Sequence, residues 1–116
     1  MADSQLIVEV VLPQAAQDAV KAGDLNAALR PQAFPQEQQA GMADAADYAG
    51  KLSASQRRTL LDALSHSLGE SHGARVSFFR WAVGYELGGI QISIADSSVA
   101  EERKIEPLAV TFAYKG

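Results

Sequence analysis

Cysteine is absent from this 116-residue chain, which removes disulfides, zinc-thiolate centres and thiol nucleophiles together. A metal site would have to be built from carboxylates and the two histidines. Basic charge is also scarce. Ten Lys and Arg against 14 Asp and Glu leave a formal charge of -4, and the basic residues occur only as pairs or singletons, such as Arg57-Arg58, Arg75, Arg80 and Arg103-Lys104. Phosphate backbones are held by clustered cations that displace counterions, so nucleic acid is not an expected partner. No stretch approaches the roughly 18 apolar residues of a membrane span. The opening Met-Ala-Asp-Ser-Gln lacks the basic and apolar regions of a secretory signal. A cytoplasmic protein of bacterial or phage type, with no membrane partner, is the expectation.

Catalytic signatures are missing as well. No serine sits in a Gly-x-Ser-x-Gly elbow, and the glycines of Gly84-Tyr85-Glu86-Leu87-Gly88-Gly89 are followed by neither the Lys-Ser/Thr nor the helix of a phosphate loop. No catalytic residue and no cofactor is therefore assigned. What the chain does have is apolar material. Hydrophobic residues make up 47% and charged residues 21%, enough for one domain over 1–116 with a real core.

The segment 74–114 organises the rest. Ile90, Ile92 and Ile94 alternate with Gln91, Ser93 and Ala95, the period of a half-buried strand. Leu108, Val110, Phe112 and Tyr114 likewise share one face, opposite Ala109, Thr111 and Ala113. In 74–83, Val76, Phe78, Arg80 and Ala82 fall on one face, and Ser77, Phe79, Trp81 and Val83 on the other. Aromatic rings on both sides of one strand imply cover on both sides. Gly88-Gly89 is read as part of the hairpin connection between the first two strands, and the charged run at 96–107 as a solvated loop.

Ahead of this segment, 5–12 is almost continuously apolar and reads as a strand inside the sheet. Pro13 ends it and opens a helix over 14–22; Gly23-Asp24 is a stop and a fresh N-cap for one or two turns over 25–30. The stretch 31–41, with two prolines and four glutamines, reads as a flexible Pro/Gln-rich loop, followed by a short helix over 42–49. Ser53-Ala-Ser-Gln56 fits a capping box, and Leu60, Leu61, Leu64 and Leu68 form the buried stripe of the helix behind it, with Gly69 as its stop. The fold class is thus α+β: a four-stranded, mainly antiparallel sheet in the order β-α-α-β-β-β, with helices packed on one face.

The residues singled out for function are few. His66, Glu70 and His72 are weak metal candidates, since six residues with a glycine between them do not by spacing align both rings. Arg80 and Glu86, close to Trp81 and Tyr85, suggest either a salt bridge across the hairpin or an anion-binding or interface group. Phe34 and Phe78 are further interface or ligand candidates. The leading functional expectation is a non-enzymatic assembly or adaptor subunit that self-associates or joins a larger protein assembly. The alternative is a small-ligand-binding or enzymatic domain with a pocket between sheet and helices, lined by Phe78, Trp81 and Phe112 and offering Arg80 or Tyr114 as its polar group.

Overall fold

The computed structural model describes residues 3–69, 72–94 and 108–114; the charged run at 96–107 and Glu70 lie outside them. Within this range the chain forms β1 (Asp3–Val11), α1 (Gln14–Lys21), α2 (Leu25–Ala28), a 3-10 turn (Pro31–Ala33), α3 (Gln36–Gly50), α4 (Ala54–Ser67), β2 (Arg75–Val83), β3 (Glu86–Ile94) and β4 (Leu108–Ala113). The four strands make one antiparallel sheet in the order β1-β2-β3-β4. This is the α+β architecture expected, with the helices on one face of the sheet.

The core lies between that face and the helices. Val10 pairs with Val76, Val76 with Ile94, Phe78 with Ile92 and Ile90 with Phe112, and all of these side chains are buried. Burying each contributes about 2 kcal/mol. Leu60 and Leu64 of α4 and Met42 of α3 complete the layer from the other side. α4 starts as its sequence dictates: Gln56 N–H donates to Ser53 Oγ (3.2 Å), and Ser53 N–H to Gln56 Oε1 (2.9 Å). The same Gln56 side chain turns its amide to the sheet, where Nε2 donates to the Ala113 carbonyl and holds the outer edge of β4. α1 stops in a Schellman arrangement, with Asp24 N–H on the Ala19 carbonyl, Gly23 N–H on Val20 and Gly23 at φ 77. Asp24 then caps α2 through Ala27 N–H.

Three expectations are corrected. β1 lies at the sheet edge, beside β2 alone, and not in its interior. Its nearly continuous apolar run has a different cause. A bulge between Leu6 and Val8 switches the parity of the strand, so Leu6 stands opposite Phe79 on the face away from the helices while Val8 and Val10 join the core. α3 crosses close to this bulge at Gly41, where a Cβ would come within 2.7 Å of Val8 Cβ. The stretch 31–41 is ordered as the 3-10 turn and the first turns of α3: Pro31 and Pro35 stand at element starts, where proline's missing N–H costs nothing, and glutamine is a good helix former. Finally, Gly88 and Gly89 belong to β3. The hairpin turns on Gly84 and Tyr85, between the paired Val83 and Glu86, with positive φ at Gly84 alone, as a type II′ turn requires.

Candidate functional site

The two faces of the sheet carry the candidate residues. On the outer face, away from the helices, β1 and β2 set Leu6 beside Phe79 and Ser4 beside Trp81. Leu6 and Val11 are 55% exposed and Val83 62%. Around them the face is small or polar: Ser77, Gln91, Ser93, Thr111 and Ala109, with Glu9 and Arg75 at one end. Trp81 lies flat over the diglycine. A Cβ on Gly88 would sit 2.1 Å from the indole, and one on Gly89 2.9 Å from it and 1.9 Å from the Phe112 carbonyl oxygen. The indole N–H points to the Ile90 carbonyl at 3.4 Å. The glycines are therefore a seat for the tryptophan, which a second bulge, between Trp81 and Ala82, brings into register.

On the inner face, the row Phe78-Arg80-Ala82 runs out from under the helices toward the hairpin. Phe78 is buried, whereas Arg80 is exposed and held by two distant neutral groups. Gln5 Oε1 accepts from Arg80 Nε (2.9 Å) and Nη2 (2.6 Å), and Tyr48 Oη accepts from Nη1 (3.2 Å). Arg80 stands opposite Ile90 and Glu86 opposite Val83, so the expected salt bridge across the hairpin is replaced by this pairing with neutral groups. Tyr48 extends the network. Its backbone carbonyl accepts from the Tyr114 hydroxyl (3.1 Å), and Lys51 Nζ lies 5.6 Å from its ring centroid. Burial, and secondarily the nearby Tyr48 phenol, push the Tyr114 hydroxyl up to about 12.

Two shallow clefts meet at Gln5 and Arg80. One, of about 310 Å³, runs along Ala82 and Leu87 to Gly84 and Tyr85 at the hairpin; the other, of about 180 Å³, passes Asp44 and Tyr48 on α3. The pocket expected between sheet and helices is filled: Phe78 and Phe112 are 1% and 3% exposed, and Trp81 stands on the opposite face. Phe34 is likewise a core residue, at 3%. Tyr85 is fully exposed at the hairpin tip, and Glu86 is exposed beside it.

The histidines differ from their expected separation. His66 and His72 lie with ring centroids 4.9 Å apart and planes tilted by 42°, because the chain turns back directly after α4, with Gly69 N–H on the His66 carbonyl (3.2 Å) and His72 N–H on the Gly69 carbonyl (3.0 Å). Among the described residues no three His, Cys, Asp or Glu side chains converge. No helix among them is long and apolar enough to cross a membrane. Comparison with protein-family models, curated proteins and solved structures finds no match.

Gln5, Tyr48 and Leu6 are the site residues that sequence reasoning missed. Gln5 and Tyr48 are neutral residues separated from Arg80 by 75 and 32 positions, and no local pattern links them. Leu6 would have been found only from the parity switch at the bulge.

Proposed function

We propose that the protein is a non-enzymatic assembly module that pairs with a second copy of itself through the outer face of its sheet. The observation that carries this reading is the apolar row of Leu6, Phe79 and Trp81 on a face that no helix among the described residues covers. Such side chains, rimmed by polar ones, mark contact surfaces, and antiparallel sheets pack face to face about 10 Å apart. A second copy fits better than an unrelated partner because the strand register makes the face self-complementary in its apolar and charged side chains. A twofold axis parallel to β1 and β2, running between them, sets each Leu6 over the other copy's Phe79. It also sets each Glu9 diagonally beside the other copy's Arg75. The absence of cysteine suits a reducing cytoplasm, and the acidic balance supports a protein partner over nucleic acid.

The test is the mass in solution by light scattering over a concentration series. The wild type should rise toward twice the 12.3 kDa of one chain, and Leu6→Glu should stay at the monomer mass with its thermal stability kept, since Leu6 is exposed in the single chain. A wild type that stays monomeric at every concentration, or a Leu6→Glu variant that associates as well as the wild type, would sink the reading.

A further inference from the structure

The cleft at Arg80 opens on the inner face and has its own chemistry. A guanidinium carries five N–H donors in a planar fork. Gln5 takes one from Nε and one from Nη2, and Tyr48 takes one from Nη1, so each terminal nitrogen keeps one N–H. Those bonds also fix the plane of the group, which is otherwise the mobile end of a long side chain. A pre-positioned guanidinium with a donor left on each terminal nitrogen matches the two oxygens of a carboxylate.

The surroundings decide which anion. The larger cleft continues from Arg80 along Ala82 and Leu87 to Tyr85, and none of its lining residues is acidic. Asp44 lines only the smaller cleft on the α3 side, and Glu86 lines neither of the two. A ligand arriving through the larger cleft thus meets one cation at the inner end and apolar and aromatic groups along its length. Inorganic phosphate would satisfy the first feature and leave the second unused. We infer that the Arg80 cleft binds a small organic carboxylate with an apolar or aromatic body, its carboxylate on the Arg80 terminal nitrogens and its body against Ala82 and Leu87.

Hydrocinnamate is a suitable probe, with the neutral hydrocinnamamide and inorganic phosphate as controls, in an NMR titration of the full chain. Hydrocinnamate should give saturable shifts at Arg80 Nε–H and at the Ala82 and Leu87 amides, with a millimolar dissociation constant. The amide should bind about tenfold more weakly or worse, as should hydrocinnamate to Arg80→Gln, the loss expected for a charged bidentate pair. Gln5→Leu, which leaves the cation but frees its fork, should weaken binding several-fold. Absence of saturable shifts, equal binding of the amide, or phosphate matching hydrocinnamate would each overturn the assignment. The amide and phosphate comparisons use the unaltered chain, so they decide the matter even if a variant fails to fold.

Discussion

Phe78 and Phe79 are consecutive in β2 and have opposite surroundings. Phe78 is 1% exposed, between Val8 and Ile92 and beneath the helices; Phe79 is half-buried, between Leu6 and Gln91 on the open face. Beneath the helices, as far as Phe78 and Ile90, the inner face is closed by large apolar side chains and opens only beyond them, at Arg80. Among the described residues, the outer face has large aromatic and aliphatic groups only on β1 and β2 and at the hairpin, and turns small and polar toward β4. An apolar row confined to one side of a sheet, without a helix over it among the described residues, is a poor core and a good contact surface.

The comparison can be broken most directly at this pair. Phe78→Ala should cost about 3–5 kcal/mol in urea denaturation, the usual loss for a buried phenylalanine, and Phe79→Ala about 1 kcal/mol or less at concentrations where the chain is monomeric. Similar losses at the two positions would mean that both faces are cores. A second contrast comes from the adjacent glycines. Gly89→Ala drives a Cβ into the Phe112 carbonyl of β4 at 1.9 Å, so the strands must part, at about 3 kcal/mol. Gly88→Ala meets the Trp81 ring instead, which can swing off the open face; about 1 kcal/mol, with a red-shifted and more quenchable Trp81 emission, is expected. Equal costs would mean that Trp81 is as firmly enclosed as the core.

The smallest effect belongs to the seam of the inner face. Burial favours the neutral Tyr114 phenol in the fold, raising it from 10.0 to about 12, so above the ordinary tyrosine range the unfolded chain releases this proton more readily. Stability should therefore be unaffected below about pH 10 and fall as pH rises through about 12. Tyr114→Phe should fall less steeply over that window when the two are compared by urea denaturation, the difference removing the contribution of lysines. Parallel curves would mean that the phenol is solvated in the fold.

Much of the fold was legible because it is written in local pattern. The isoleucines of β3, the capping box of α4 and the Gly23-Asp24 junction each depend on residues within a few positions of one another, and each appears as read. The errors come from the two strand bulges and from one composition rule. A bulge is defined by the partner strand, so the parity switch that sends Leu6 outward and Val8 inward leaves only a continuous apolar run, which imitates an interior strand. The glycines of β3 imitate a turn for the same reason, their role being set by Trp81 across the strand pair. At 31–41 the two prolines signal a loop and mask the helix-forming glutamines between and after them. Of the candidate site, Arg80 and Trp81 were visible as residue types, while their settings rest on contacts with Gln5, Tyr48 and Gly88 that only the fold creates.

The most direct measurement uses Trp81, the single tryptophan, as a reporter on the outer face. Acrylamide quenching of its fluorescence should be followed over a rising protein concentration, in parallel with the mass. If two copies meet through this face, the quenching constant falls as the dimer forms and stays at its monomer value in Leu6→Glu. Trp81 quenching that is independent of concentration while the mass doubles would place the contact elsewhere and contradict the assignment of this face.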